Sequence, residues 1–307
     1  MYRDHIRNKV IIVTGASRGF GRAMAYTYAV NGAKVAAVAL EKDELENFSQ
    51  KMKKKNIEIL TIPKNLSKKD DVYDIKKIVI EKYGRVDVLV NNAAISQWKN
   101  IHETTLEEWD KTFAVNIRAP FLLSKILCEK ISENNGGSII NITSRSAEIG
   151  FISEIAFSPT KWALEGLTQC LAMELQPLNI AVNALKVAAP EGKRLKPTGL
   201  TLKDSLNQPE HIREKYATEE EMEKAFAPAW IFLASQNANG VTGQRLRSKK
   251  LSEYIRKNGW DSAIKLHGRK LTEAIYTPYK FPKSSTYQTP DGEYNTLKYK
   301  FKKGEKN

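Results

Sequence analysis

A short apolar run, Val10 to Val13, breaks into the phrase TGASRGFG and then into a helical pattern from Arg22 to Asn31. Strand, glycine turn and helix in that order are the parts of a phosphate cradle. A helix N-terminus presents unpaired N–H groups and a partial positive charge, and glycines let the backbone approach a pyrophosphate closely. Gly15, Gly19 and Gly21 punctuate the turn, with Ser17, Arg18 and Phe20 between them. The same alternation continues down the chain. Val35–Leu40, Ile57–Ile62, Val86–Val90, Ser138–Thr143 and Ile180–Leu185 read as strands. Helical spacings separate them, at Leu45, Phe48 and Met52, at Val72, Ile75 and Val79, at Leu106, Trp109 and Phe113, and over Phe121–Ile131, and a further helical pattern runs through Ala225 to Ala234. Alternation kept up through residue 246 implies an α/β fold, a doubly wound parallel sheet covered on both faces with right-handed crossovers. Ligands of such sheets sit at the carboxyl ends of the strands.

With 307 residues the chain can bury one large core, and length alone allows one domain or two. Cys128 and Cys170 both fall in apolar helical patterns, which reads as buried reduced thiols and a cytosolic setting. No apolar run reaches the roughly eighteen residues that cross a bilayer, and MYRDHIRNKV passes straight into a strand. Net charge is +14, concentrated at the end: Leu246 to Asn307 holds 15 Lys and Arg against 6 Asp and Glu. Aromatics such as Tyr276, Tyr279 and Phe301 interleave those cations. Nucleic-acid binding is one use of such a pattern. With no nucleic-acid motif present, the expected role is an arm packed on its own domain or on another subunit. Leu251 to Ile264 is compatible with a short helix, and the chain beyond Thr277 with extended structure.

The chemistry is expected in EIAFSPTKWALEGLT, residues 154 to 168. Phe157 and Lys161, four residues apart, share a helix face. Ser144 lies thirteen residues before Phe157, at the end of a strand. Here the chain resembles the short-chain dehydrogenase/reductase family, whose signature is a Ser, then a Tyr, then a Lys four positions on. Ser144 and Lys161 fit; Phe157 does not. The resemblance covers about 240 residues and implies a Rossmann-type nucleotide-binding domain, residues 1–246, with a basic C-terminal extension, 247–307. It also implies hydride transfer between NAD(P)(H) and a small alcohol or carbonyl compound, and a homo-oligomer.

Carried onto this sequence, the family pattern gives cofactor contacts at Gly15, Ser17, Arg18, Gly19, Phe20 and Gly21. It adds Leu40 after the second strand, Asn65 and Leu66 against the adenine, Asn92, Ala93 and Ala94 at the sheet, Lys161, and Val187. Its Asn-Asn-Ala-Gly reads Asn91-Asn92-Ala93-Ala94 here, and its Pro-Gly after strand six is replaced by Lys186-Val187-Ala188-Ala189-Pro190. The acid that would mark NAD falls at Ala39, which is not acidic, while Arg18 suits a 2′-phosphate, so NADP(H) is favoured. Leu40 stands where a second cation is common and Glu41 follows, which keeps NAD(H) open. Asn116 would interrupt its helix and join a water relay to Lys161. Residues 191 to 218, rich in Pro, Gly and Lys, suit a substrate-covering loop.

In the family mechanism the Ser holds the substrate oxygen, the Tyr exchanges its proton, and the Lys lowers the Tyr pKa and binds the nicotinamide ribose. Phe157 removes the proton donor. Four accounts stay open: an engineered Tyr-to-Phe change in an active reductase, a cofactor-binding protein without catalysis, a substitute acid such as Glu154 or a water on Lys161, or another reaction on the same scaffold. The plainer readings are a tight turn for the glycines, a solvated charge for Arg18, a loop cap for Ser144 and a surface helix residue for Lys161.

Overall fold

The computed structural model describes residues 2–194 and 209–268, with the backbone of 284–288 and 294–298. Seven strands form one parallel sheet: β1 (Val10–Thr14), β2 (Lys34–Ala39), β3 (Ile59–Pro63), β4 (Val88–Asn91), β5 (Gly137–Thr143), β6 (Ile180–Lys186) and β7 (Arg245–Arg247). Their order, β3-β2-β1-β4-β5-β6-β7, places the switch point between β1 and β4, where Ile12 lies opposite Ala36 on one side and Leu89 on the other. This is the doubly wound sheet that the alternation implied. Its crevice opens at the carboxyl ends of β1 and β4.

Side chains alternate along each strand, so each face needs its own cover. Ile11 and Val13 of β1 pack on one face with α1 (Gly19–Val30), α2 (Lys42–Lys53) and a long helix, α7 (Glu219–Ser235). Val10 and Ile12 pack on the other with α3 (Lys69–Tyr83), α5 (Ala119–Ser132) and α6 (Phe157–Glu174). The spacings Leu45/Phe48/Met52 and Val72/Ile75/Val79 are fully buried, as an amphipathic stripe requires.

Four expectations are corrected. Leu106 and Trp109 do not form a core face of α4 (Leu106–Phe113): Leu106 is 75% exposed, and Thr112 is the buried residue of that helix. The helical stretch read from Ala225 begins at Glu219, because Thr218 and Glu221 close a capping box there. Cys128 is half-buried and Cys170 exposed, both as free thiols. The 246/247 division between domain and extension falls inside β7. After it, α8 (Ser248–Asn258) and α9 (Trp260–His267) turn about Gly259, and Leu251, Ile255 and Ala263 enter the first core cluster. Trp260 stacks on His5 at 4.1 Å and meets Phe232 edge-on at 5.0 Å, which ties this segment to the N-terminus and to α7. The covering loop falls largely on 195–208 and the extended tail largely on 269–307, outside the described residues except for an antiparallel pair, β8 (Ser284–Gln288) with β9 (Tyr294–Lys298).

Candidate active site

At the carboxyl edge of the sheet, β1 ends in Thr14-Gly15 and α1 starts four residues later. Gly15 has φ +66°, and a Cβ there would lie 2.8 Å from Ala93 Cα. A Cβ on Gly21 would lie 2.1 Å from the Gly15 carbonyl oxygen, so the first turn of α1 is pressed against the strand end. A Cβ on Gly19 would meet nothing within 4 Å. Closed behind and open in front, the turn presents bare backbone to the crevice. No side chain caps α1, so its first N–H groups stay available to an anion.

Asn92 holds this edge together. Its Nδ2 donates to the carbonyls of Thr14 (2.9 Å) and Gly15 (3.3 Å), while Thr14 Oγ1 accepts from the N–H groups of Asn92 and Ala93, both at 3.0 Å. Ala94 does not have a positive φ, so the methyl group that replaces the family's glycine is accommodated without backbone strain.

A cavity of about 400 Å³ runs from this turn to the start of α6. Gly15, Ser17, Arg18, Gly19 and Phe20 line one end, with Leu40, Asn65 and Leu66 beyond them. Ala93, Ala94 and Val187 line it further along, and Ser144, Phe157 and Lys161 stand at the far end. Gly21 and Asn116 sit behind the wall, acting through neighbours. Sequence reasoning did not single out Lys64, Ser96 or Lys111, which also line the cavity. Lys64 could have been found from its place beside Asn65, directly after β3.

Arg18 is already engaged, bonding Glu41 at 3.2 Å and Glu44 at 3.1 Å, while Ser17 Oγ donates to Glu41 at 3.0 Å. Lys64, across the same end, pairs with Asp71 and Asp74. Two cations and one carboxylate, Glu41, therefore meet at this end of the cavity. Asn65 folds its Oδ1 back onto the Ser67 N–H and hydroxyl.

At the other end, Lys161 is 4% exposed. Its Nζ donates to the Ile142 carbonyl at 2.9 Å and lies 5.3 Å from the centre of the Phe157 ring, a cation–π contact. Burial pulls the ammonium down to about pKa 8, with the Glu165 carboxylate opposing the shift. A lysine in this setting is no surface residue.

Asn116 lies in a π-helical turn, Ala114–Arg118, between α4 and α5, which is the helix interruption that the resemblance implied. Its amide exchanges two hydrogen bonds with the backbone of Ile95 and donates to Thr160 Oγ1 at 3.1 Å. Thr160 in turn donates to the Phe157 carbonyl, so Asn116 positions the first turn of α6 beside Lys161. Ser144 caps the short turn after β5, accepting from the Ser146 N–H at 3.2 Å, and still lines the cavity. The capping and site readings of Ser144 therefore coexist. Glu154 is absent from the cavity wall. No cluster of three or more metal-ligating side chains occurs among the described residues.

Comparison with known proteins gives the arrangement its lineage. The family model described as short chain dehydrogenase matches residues 9–195. The chain belongs to the short-chain dehydrogenase family. An uncharacterized oxidoreductase of Thermotoga maritima is 35% identical over 244 residues, 78% of this chain and 95% of the relative. A 3-oxoacyl-acyl-carrier-protein reductase of Staphylococcus epidermidis is 32% identical over 240 residues, 78% of this chain and 96% of the relative. Among solved structures, a metagenomic short-chain oxidoreductase in complex with NADP superposes with a TM-score of 0.64 at 26% identity, covering 79% of this chain and 98% of that one. This short-chain dehydrogenase carries a glycine turn, a braced switch point, and a serine and a lysine around one crevice.

Proposed function

We propose that the chain binds NADP(H) along this cavity and interconverts a small alcohol and its carbonyl compound, slowly, because Phe157 carries no proton. One observation supports this above the others: a bare helix N-terminus opens into the same cavity as Ser144 and Lys161. The bound nicotinamide supplies or accepts the hydride. Gly19 and the α1 N–H groups hold the pyrophosphate, Asn92 keeps their platform rigid, and Ser144 binds the substrate oxygen. Lys161 donates to the nicotinamide ribose. With Phe157 the phenol that this ammonium would acidify is missing, and the ring only shapes the wall. The exposed apolar side chains Phe121, Trp162 and Met173 on α5 and α6 support a homo-oligomer, checked by sedimentation. We place the protein in the cytosol on its free thiols. No described helix is long and apolar enough to cross a membrane.

Arg18 and Lys64 support NADP(H) through its 2′-phosphate, with Arg18 leaving Glu41 to meet it. Arg18→Gln is then expected to weaken NADPH binding by about 10- to 100-fold, the worth of a hydrogen bond to a charged group, and to leave NADH binding nearly unchanged. The specific observation behind the rival NAD(H) reading is Glu41, held by Ser17 toward the same cavity. If NADH binds tighter than NADPH and Glu41→Gln abolishes that preference, NAD(H) is the cofactor.

The site also carries a pH signature. Lys161 titrates near 8 in the free protein, and ribose binding favours its ammonium form. Above pH 8 binding must take up a proton, so NADPH affinity is expected to fall by up to about tenfold per pH unit. Below pH 7 it levels off. Fluorescence titrations from pH 6.5 to 9.5 read this slope, and Lys161→Met should flatten it.

Turnover separates an enzyme from a silent binding protein. A carbonyl panel with NADPH should show slow reduction by the wild-type chain. Tight nucleotide binding with no turnover, in this chain and in Phe157→Tyr alike, would favour the silent protein.

A further inference from the structure

Behind Ser144 the hydrogen bonds continue away from the cavity. Ser144 Oγ donates to Ser146 Oγ at 3.1 Å. Ser146, 3% exposed, hydrogen-bonds through its side chain to the carboxyl of Glu154. Glu154, 7% exposed, also accepts from Ser158 Oγ at 3.0 Å, in the first turn of α6. A buried carboxyl is thus linked to the hydroxyl that faces the substrate by one intervening serine. Burial holds that carboxyl above the ordinary range, with the two serine hydrogen bonds opposing the shift.

Among the described residues no cation neutralises Glu154. Lys99 faces it across a backbone bridge, but its ammonium is bonded to Glu108 at 2.6 Å. The guanidinium of Arg145, beside Ser146, lies over the Phe151 ring, and Lys161, on the same helix as Ser158, points to the Ile142 carbonyl. A carboxyl buried with two hydroxyls and no described counter-charge holds its proton to higher pH than a solvated one does. It can therefore give and retake one proton, and it sits next to a site whose own donor is missing.

We propose that Glu154, acting through Ser146 and Ser144, supplies the proton that Phe157 cannot. This rests on the oxidoreductase reading above and deepens it. In carbonyl reduction, hydride reaches the carbonyl carbon as the dihydronicotinamide is oxidised, and the C=O π pair passes to oxygen. That oxygen takes the Ser144 proton, Ser144 takes one from Ser146, and Ser146 takes one from the Glu154 carboxyl. The carboxylate left behind regains a proton from solvent between turnovers. In alcohol oxidation each transfer runs backwards, in the direction in which Ser144 already donates to Ser146. Ser144 touches the substrate. Ser146 and Glu154 act behind it.

The test compares two backgrounds. In the Phe157 chain, Glu154→Gln and Ser146→Ala are each expected to lower kcat for carbonyl reduction by about tenfold or more, with NADPH affinity held within about twofold. On the Phe157→Tyr background a phenol bypasses the serines, so the Glu154→Gln cost should shrink to about threefold or less, the coupling expected of groups serving one step. A merely structural role would cost the same in both. The wild-type kcat for reduction should decline as pH rises through the Glu154 range, because the protonated carboxyl is the donor, and Glu154→Gln should abolish that decline. Independently of turnover, infrared spectra of the chain alone, taken as pH rises, should show a protonated carboxyl band that persists above the ordinary carboxylate range and is missing from Glu154→Gln. An unchanged kcat in Glu154→Gln, or an equal cost in both backgrounds, overturns the relay. So does a Phe157 chain with no turnover. In that last case, turnover by Phe157→Tyr leaves the oxidoreductase reading standing, whereas absence of nucleotide binding removes both.

Discussion

Phe157→Tyr should raise the kcat for carbonyl reduction by about 10²- to 10⁴-fold, the usual worth of a positioned general acid. The side chain opens α6, lines the cavity and stands 5.3 Å, centroid to Nζ, from the Lys161 ammonium. A phenol on the same ring would gain a cationic neighbour in a low-dielectric wall, which favours its ionised form and lowers its pKa. The added oxygen projects from a ring that already borders open space, so the substitution needs no repacking. The gain should fall on kcat, with the NADPH dissociation constant nearly unchanged, because the phenol acts in the transition state and not in cofactor binding. A gain below about threefold would mean that the substrate oxygen does not approach this ring.

The second large effect is at the glycine turn. A Cβ on Gly21 would lie 2.1 Å from the Gly15 carbonyl oxygen, 2.4 Å from Asn92 Nδ2 and 2.7 Å from the Gly15 carbonyl carbon. None of these atoms can retreat cheaply. Gly15 belongs to the backbone, and Asn92 is fixed by two hydrogen bonds to the end of β1. Gly21→Ala must therefore push α1 off the strand end, at a cost of about 1–3 kcal/mol or more in stability, since overpacking in a rigid site is not relieved locally. NADPH affinity should drop by at least about 100-fold, because α1 then no longer aims its N–H groups at the pyrophosphate. Gly19→Ala provides the contrast. Its Cβ enters open space and carries only the cost of φ +57°, so the chain should stay folded, yet that methyl stands where the phosphate must rest. Thermal unfolding and nucleotide titration together read both variants. Gly21→Ala should fail in both, Gly19→Ala mainly in binding.

Local signals made most of this legible. Short apolar runs gave every strand of the parallel sheet but β7, period-3.6 spacings gave most of the helices, and the Gly15–Gly21 turn gave the crevice, because each depends on neighbours in the chain. Asn92 was placed correctly for the same reason, at the end of β4. What depends on contacts distant in sequence was not legible. Leu106, Trp109 and Cys170 looked apolar in pattern but stand outside the core, since a helical stripe does not say whether anything covers it. The boundary at 246 followed the resemblance and left the helical stretch from Leu251 outside the domain, although its Leu251 and Ile255 close the same core as α7. Arg18 stood out as a phosphate ligand, but its pairing with Glu41 and Glu44 depends on how α2 folds back over the turn. Glu154 was considered as an acid from its place one turn before Phe157. Its link to Ser144 through Ser146 needed the short turn after β5 to be seen in three dimensions.

The central claim is that a nicotinamide dinucleotide lies against the first turn of α1 with its reactive ring toward Ser144 and Lys161. Calorimetric titration of the wild-type chain with NADPH and with NADH tests it most directly. The account predicts saturable heat with one site per chain, lost in Gly19→Ala and retained in Phe157→Tyr. Absence of heat with both nucleotides, or binding indifferent to Gly19→Ala, would contradict it.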